Sequence, residues 1–167
     1  MQNLRDVKII RSEKRKKTIL AKSIKGKLHI YLPKGLSKEE EKKWIVKMIQ
    51  KAENRRKMRE LNTNGLLKER ADELNKKYFR RKLEFDIKYV SNQNFRFGSC
   101  TSEKKIIRIS DRVANMPRWV QDYVIIHELA HLIYPNHSKE FWEKVNQYKS
   151  TERAKGYLIA VGMLSDE

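Results

Sequence analysis

The chain has 167 residues, with 39 lysines and arginines against 21 aspartates and glutamates and a formal net charge of +18. Hydrophobic residues make up 39%, enough for a modest core, and no apolar run approaches the roughly 20 residues that a membrane-spanning helix needs. A single cysteine, Cys100, excludes an internal disulfide and suits a reducing compartment, so a cytoplasmic protein without membrane contact is expected.

The positive charge is uneven. Residues 1–70 carry 22 Lys/Arg against 8 Asp/Glu, whereas residues 71–167 carry 17 against 13. Such a basic region either attracts nucleic acid, nucleotides or an acidic protein, or presents a lysine-rich face to water. Residues 6–32 read as short strands. Val7, Ile9 and Ile10 lead in, Thr18, Leu20 and Ile24 follow the basic run 11–17, and Lys25-Gly26 makes a hairpin turn into 28–32. Ser37 with Glu40 three residues later is a capping box, and Trp44, Ile45, Met48, Ile49 and Ala52 form the apolar stripe of the cationic helix that it starts.

Asn62-Thr63-Asn64-Gly65 marks a turn into a second helix, with Leu67, Ala71, Leu74 and Tyr78 on one face. Phe85, Ile87 and Tyr89 alternate as a strand does. The segments 95–100 and 105–109 read as two more strands joined at Ser102-Glu103. Pro117 suits the first turn of a further helix, which runs through Trp119, Val120, Tyr123, Val124 and Ile126 and is ended by Pro135. Ser138 and Ser150 are cap candidates for two last helices, the first carrying Phe141, Trp142, Val145 and Tyr148, the second running through Leu158 and Val161. No repeat or low-complexity linker interrupts this order.

Three of the four histidines fall in one eleven-residue window: His127, His131 and His137. The first two form an H-E-x-x-H motif. Residues four apart share a helix face, so both imidazoles can aim at one point, as a zinc ion requires. Glu128 is placed to work on a water beside that ion rather than to ligate it. The flanking residues Val124, Ile125, Ile126, Leu129, Ala130, Leu132 and Ile133 make the helix apolar nearly all round. Buried ionisable groups in such a helix need compensation, and a divalent cation supplies it. The bend at Pro135-Asn136 returns His137 as third ligand, with Glu140 and Glu143 as competitors for that place. Three protein ligands leave a fourth position open, the mark of a catalytic site.

Several neighbours carry two readings. Arg96 either binds a substrate carboxylate or phosphate, or pairs with a structural carboxylate. Ser99 either donates to substrate or is satisfied locally, and Gly98 suits close backbone approach. Cys100 is a small buried residue or a thiolate ligand. Asn136 makes the turn or orients His137, and Tyr134 could reach an oxyanion. Phe141 and Trp142 are expected in the core, and His29, in a strand far away in sequence, is expected to be structural or exposed.

These motifs together resemble the YgjP-like zinc metallopeptidases, relatives of the SprT-like and WLM families in the wider zincin group. The resemblance covers most of the chain. It rests on the basic stretch 11–17 leading into a Thr-Ile strand, on Arg96-Phe97-Gly98-Ser99-Cys100 (with Phe97 where tryptophan is usual), on the H-E-x-x-H motif, and on Asn136-His137-Ser138 with Phe141-Trp142. The histidine spacing is also that of metzincins, but their turn glycine is replaced by Tyr134. The resemblance implies an α+β zincin-like domain with a small mixed or antiparallel sheet and an active-site helix. It places His127, His131 and His137 on zinc and makes Glu128 catalytic. It also implies a β-rich N-terminal extension, here residues 1–36, before a helical and metallohydrolase domain over 37–167.

The leading expectation is therefore a zinc metallopeptidase acting on peptides or proteins, with Glu128 as general base and Arg96 and Ser99 on the substrate. In zincins the peptide lies antiparallel to an edge strand, a role open to 95–101 or 105–110. Two alternatives keep the metal site: a nucleotide pyrophosphohydrolase using Arg96 and the basic surface, and a nucleic-acid-binding protein whose metal is not catalytic. The second is disfavoured by the scarcity of aromatic residues among the basic ones.

Overall fold

Leu28, Ile30 and Leu32 alternate along one strand, as a half-buried strand requires, and they seed the first sheet. In the computed structural model, which describes residues 7–80 and 83–161, that strand is β3 (Lys27–Pro33). It lies between β1 (Val7–Ser12), parallel to it, and β2 (Leu20–Ile24), antiparallel. The β2–β3 hairpin turns at Lys25 and Gly26, whose φ angles are 48° and 79°. Two positive φ values in succession match the twist of a two-residue hairpin, which explains a glycine at the second position.

The capping box forms as read. Ser37 Oγ accepts from the Glu40 amide at 3.2 Å, and Glu40 Oε2 accepts from the Ser37 amide at 2.9 Å. It opens α1 (Lys38–Thr63), whose residues Trp44, Ile45, Met48 and Ile49 pack with Ile30 and Leu32. Arg11 on β1 clasps Glu41 with two 2.8 Å bonds. The chain divides inside α1 into two packing units, Met1–Arg59 and Glu60–Glu167.

The second unit is built round one buried helix. α2 (Leu66–Phe79) leads to β4 (Asp86–Val90), β5 (Gly98–Thr101) and β6 (Ile106–Ser110). The sheet order is β4-β6-β5, with β6 parallel to β4 and antiparallel to β5. Asn62 clamps the Tyr89 main chain on β4, accepting from its amide at 2.8 Å and donating to its carbonyl at 3.1 Å. Then come α3 (Arg118–Ala130), α4 (Lys139–Val145) and α5 (Thr151–Ala160). α3 packs against α2, α4, α5 and both β5 and β6, so it is covered on nearly every side. The fold is thus α+β with small mixed sheets and a central metal-motif helix. Among the described residues, no helix is long and apolar enough to cross a membrane.

Three local expectations are corrected. The strand expected over 95–100 begins only at Gly98, and Phe95 is 89% exposed. Arg112 draws the preceding loop away from the ladder, donating through Nη2 to the carbonyls of Gln93 (2.7 Å) and Arg96 (3.2 Å). The metal-motif helix stops at Ala130, not at Pro135. Beyond it, the amides of Leu132 and Ile133 bond three residues back to Leu129 and Ala130, a tightened 3₁₀-type turn that suits the constraint proline places on Tyr134. Finally, the Ser150 hydroxyl does not cap α5; Thr151 Oγ1 instead donates to the carbonyls of Val145 and Tyr148 at 3.0 and 2.8 Å.

One buried ion pair ties α2 to α3. Arg70 grips Asp122 through Nε (2.7 Å) and Nη2 (2.6 Å), and the Asp122 side chain is 7% exposed. Asp122→Ala removes both bonds but leaves Arg70 its second partner, Glu73, and some solvent contact, so it should cost about 1.5–3 kcal/mol, the range for hydrogen bonds to charged groups. A urea unfolding curve whose midpoint matched the wild type would contradict this.

Candidate metal centre

The apolar character of α3 decides the electrostatics of what it carries. His127 and His131 lie one turn apart, with ring centroids 4.9 Å from each other. The His131 amide still bonds to the His127 carbonyl at 3.3 Å, so both remain on one helical turn although the helix is ending. The chain then doubles back. Ser138 caps α4 by accepting from the Phe141 amide at 3.4 Å, which sets His137 just outside that helix. Its ring stands 5.0 Å from that of His127 and 4.8 Å from that of His131.

One nitrogen from each ring lies within 4.8 Å of the others, and the Nε2 atoms of His127 and His137 are 3.1 Å apart. Two ligands at about 2.0–2.1 Å from a tetrahedral zinc are separated by about 3.3–3.4 Å, so this spacing fits a shared ion. His131 Nδ1 lies 3.1 Å from the Tyr134 carbonyl, where it donates and leaves the Nε2 lone pair for the cluster. Phe141, fully buried, packs its ring against all three imidazoles at 4.9, 4.6 and 4.7 Å. Trp142 stacks on His137 at 5.5 Å and 28°. Glu140 and Glu143 are not in the group. Both are exposed, the first accepting from the Ser138 hydroxyl at 2.7 Å and the second facing Lys139 at 3.9 Å.

Burial pushes the His127 imidazole down to about 3, helped by the neighbouring charges of His131, His137 and Lys155. The ring is therefore neutral near pH 7 and offers a lone pair. Its Nδ1 is buried with no hydrogen-bond partner among the described residues, so packing against Phe141 and Tyr123 holds it. An unfolded histidine takes up a proton near 6.5, whereas this one resists until about 3. The metal-free protein should then lose stability as the pH falls from about 6.5 towards 3. Thermal melts of chelator-treated His127→Gln should show a flatter fall in Tm over that range than wild type; equal slopes would refute this assignment.

Glu128, 6% exposed, points towards β5. A Cβ built on Gly98 would stand 2.7 Å from both Cγ and Cδ of Glu128 and nearer still to a carboxylate oxygen. Glycine is therefore required at 98 by close approach, as the sequence suggested. Two residues along β5, burial and then the Glu128 charge push the Cys100 thiol up to about 12. It stays protonated near neutrality, and its sulfur is not among the converging ligand atoms. Gly98→Ala should destabilise the protein by about 1–3 kcal/mol through overpacking. That cost should shrink in a Glu128→Ala background, where the obstructing atoms are gone; an additive double-mutant cycle would rule out the contact.

The three histidines and Glu128 line a cleft of about 840 Å³ with residues 95–100, Tyr123, Trp142 and three α5 residues. Arg96 is exposed and lines it, and its guanidinium makes no ion pair among the described residues, so the structural-carboxylate reading finds no partner there. The Ser99 hydroxyl also lines the cleft but accepts from Gln93 Nε2 at 2.7 Å. Tyr134 contributes its carbonyl, and its side chain is not among the lining groups. His29 sits in β3, paired with Lys8 and Lys22 on its neighbours. Sequence reasoning missed Arg112, which braces the Arg96 loop, and Lys155, which faces the cleft from α5. It also took Trp142 as core, whereas the ring is half-buried beside His137. The H-S-x-x-F-W spacing held the signal for Trp142, since it places two aromatics one turn after a ligand candidate.

Residues 21–155 match the model of the YgjP-like, metallopeptidase domain. Among solved structures, the chain is similar to the metallopeptidase zymogen abylysin of Pyrococcus abyssi, at 21% identity and a TM-score of 0.50, over 57% of this chain and 90% of that one. It is equally similar to the metallopeptidase zymogen jannalysin of Methanocaldococcus jannaschii, at 19% identity and a TM-score of 0.50, over 56% of this chain and 94% of that one. These likenesses establish the fold. No curated protein matches the chain. None of these matches points to a nucleotide or a nucleic acid.

Proposed function

Because the chain belongs to the YgjP-like metallopeptidase family and is a metallohydrolase, we propose that it is a zinc-dependent peptidase acting on peptides or proteins. His127, His131 and His137 hold the ion in this reading, Glu128 is the general base, and Arg96 and Ser99 contact the substrate. The observation that carries it is the meeting, in one cleft, of three converging imidazole nitrogens with a buried carboxylate fixed against Gly98. Three imidazoles and a position left for solvent favour zinc, although the same ligands also suit nickel, copper and iron. Held by these three histidines, zinc would supply Lewis-acid chemistry, polarising a carbonyl oxygen and lowering the pKa of water towards 7.

The chain's own residues do the rest. Glu128 takes the proton of the attacking water and returns it to the leaving amine. Its carboxylate needs a fixed place for that transfer, and the Gly98 main chain gives it one. The substrate has one evident track. Of the two strands open to it on sequence, β6 is central and β5 lies at the sheet edge, so the peptide adds antiparallel to β5. Arg96, held in place through its carbonyl by Arg112, reaches carbonyls or carboxylates of the bound chain. A single cysteine, which allows no internal disulfide, fits the cytoplasm as the place of action.

Glu128→Gln separates chemistry from folding and metal. The variant should keep one equivalent of divalent ion and lose about 10²–10⁴-fold in hydrolysis of an unfolded protein substrate. Elemental analysis and a gel-based cleavage assay read both quantities. Undiminished cleavage by the variant, or wild-type protein that takes up no ion, would overturn the reading.

A further inference from the structure

Lys155 has no part in the chemistry above, yet it lines the cleft. Its Nζ lies 4.1 Å from the Trp142 ring centroid, and the side chain is 28% exposed. Trp142 in turn stacks on His137 at 5.5 Å. The ammonium therefore stands no more than about 10 Å from that ring, the span of roughly three extended residues at ~3.3–3.6 Å each. Its charge partner is Glu152, one turn back on α5 at 3.0 Å, whose side chain is 80% exposed. An exposed pair of that kind is weak and exchanges readily for another carboxylate.

The rest of the lining has a matching bias. Among the described residues, Glu128 is the sole acidic one of the cleft wall, against the two cations Arg96 and Lys155. Two large apolar side chains stand exposed in the same wall, Phe95 at 89% and Ile159 at 53%. Exposed apolar area inside a cleft is area that a ligand can cover.

From this arrangement we infer that the cleft selects peptides bearing a carboxylate within about three residues of the scissile bond, bound by Lys155 over Trp142, with an apolar side chain covered by Phe95 and Ile159. The inference deepens the peptidase reading and rests on it. The carboxylate comes either from an acidic side chain or from the free C-terminus of the peptide.

Binding and cleavage together test it. Fluorescent peptides of one apolar sequence, carrying Asp or Asn at successive positions and a free or amidated C-terminus, are titrated by anisotropy against zinc-loaded Glu128→Gln. The acidic member should bind about ten-fold tighter than its amide counterpart. Adding Lys155→Gln should bring that ratio near one, and Lys155→Arg should keep most of it. Whether Asp or the free terminus carries the preference identifies the source of the carboxylate. A ratio that survives Lys155→Gln, a wild-type chain indifferent to the acid, or no binding of any peptide overturns the inference. Binding that depends on Lys155, with no peptide cleaved by the wild-type protein, keeps the recognition and removes the peptidase reading. Cleavage with no acidic preference does the reverse.

Discussion

The second unit depends on keeping ionisable side chains inside a helix that is otherwise apolar. α3 is covered by two helices of the C-terminal half, by α2 and by the sheet, and that cover makes a charged His127 unaffordable. Desolvation holds the ring neutral, and a neutral ring is the form in which imidazole can donate an electron pair. Burial therefore costs stability in acid and supplies ligand character near neutrality, by the same physical effect.

Around that helix, aromatic packing works together with the bond from His131 Nδ1 to the Tyr134 carbonyl. Phe141 touches all three imidazoles, Trp142 covers the third, and Gly98 leaves room for a carboxylate that any larger residue would displace. Further polar restraints lie one layer out. Arg70 with Asp122 ties the start of α3 to α2, and Arg112 braces the loop that carries Arg96.

Features governed by neighbours in sequence were legible before the fold was known. The Ser37–Glu40 capping box, the Lys25-Gly26 hairpin and the i, i+4 histidines each depend on a few adjacent residues, and each is present. What escaped depends on distant partners. Nothing near Phe95 announces that Arg112, beyond the next two strands, pulls its loop out of the sheet. The end of α3 was misplaced because proline acts on the residue before it, and the turn had already tightened at Leu132 and Ile133. Lys155 reads as one more surface cation until α5 is laid beside Trp142.

The Tyr134 carbonyl that receives His131 Nδ1 belongs to the main chain. Its service does not depend on which side chain projects from position 134, provided the bend before Pro135 is kept. Ring orientation at His131 is thereby insulated from mutation at that position. Any residue that accepts the backbone constraint of a following proline can stand at 134 and leave the histidine's aim intact.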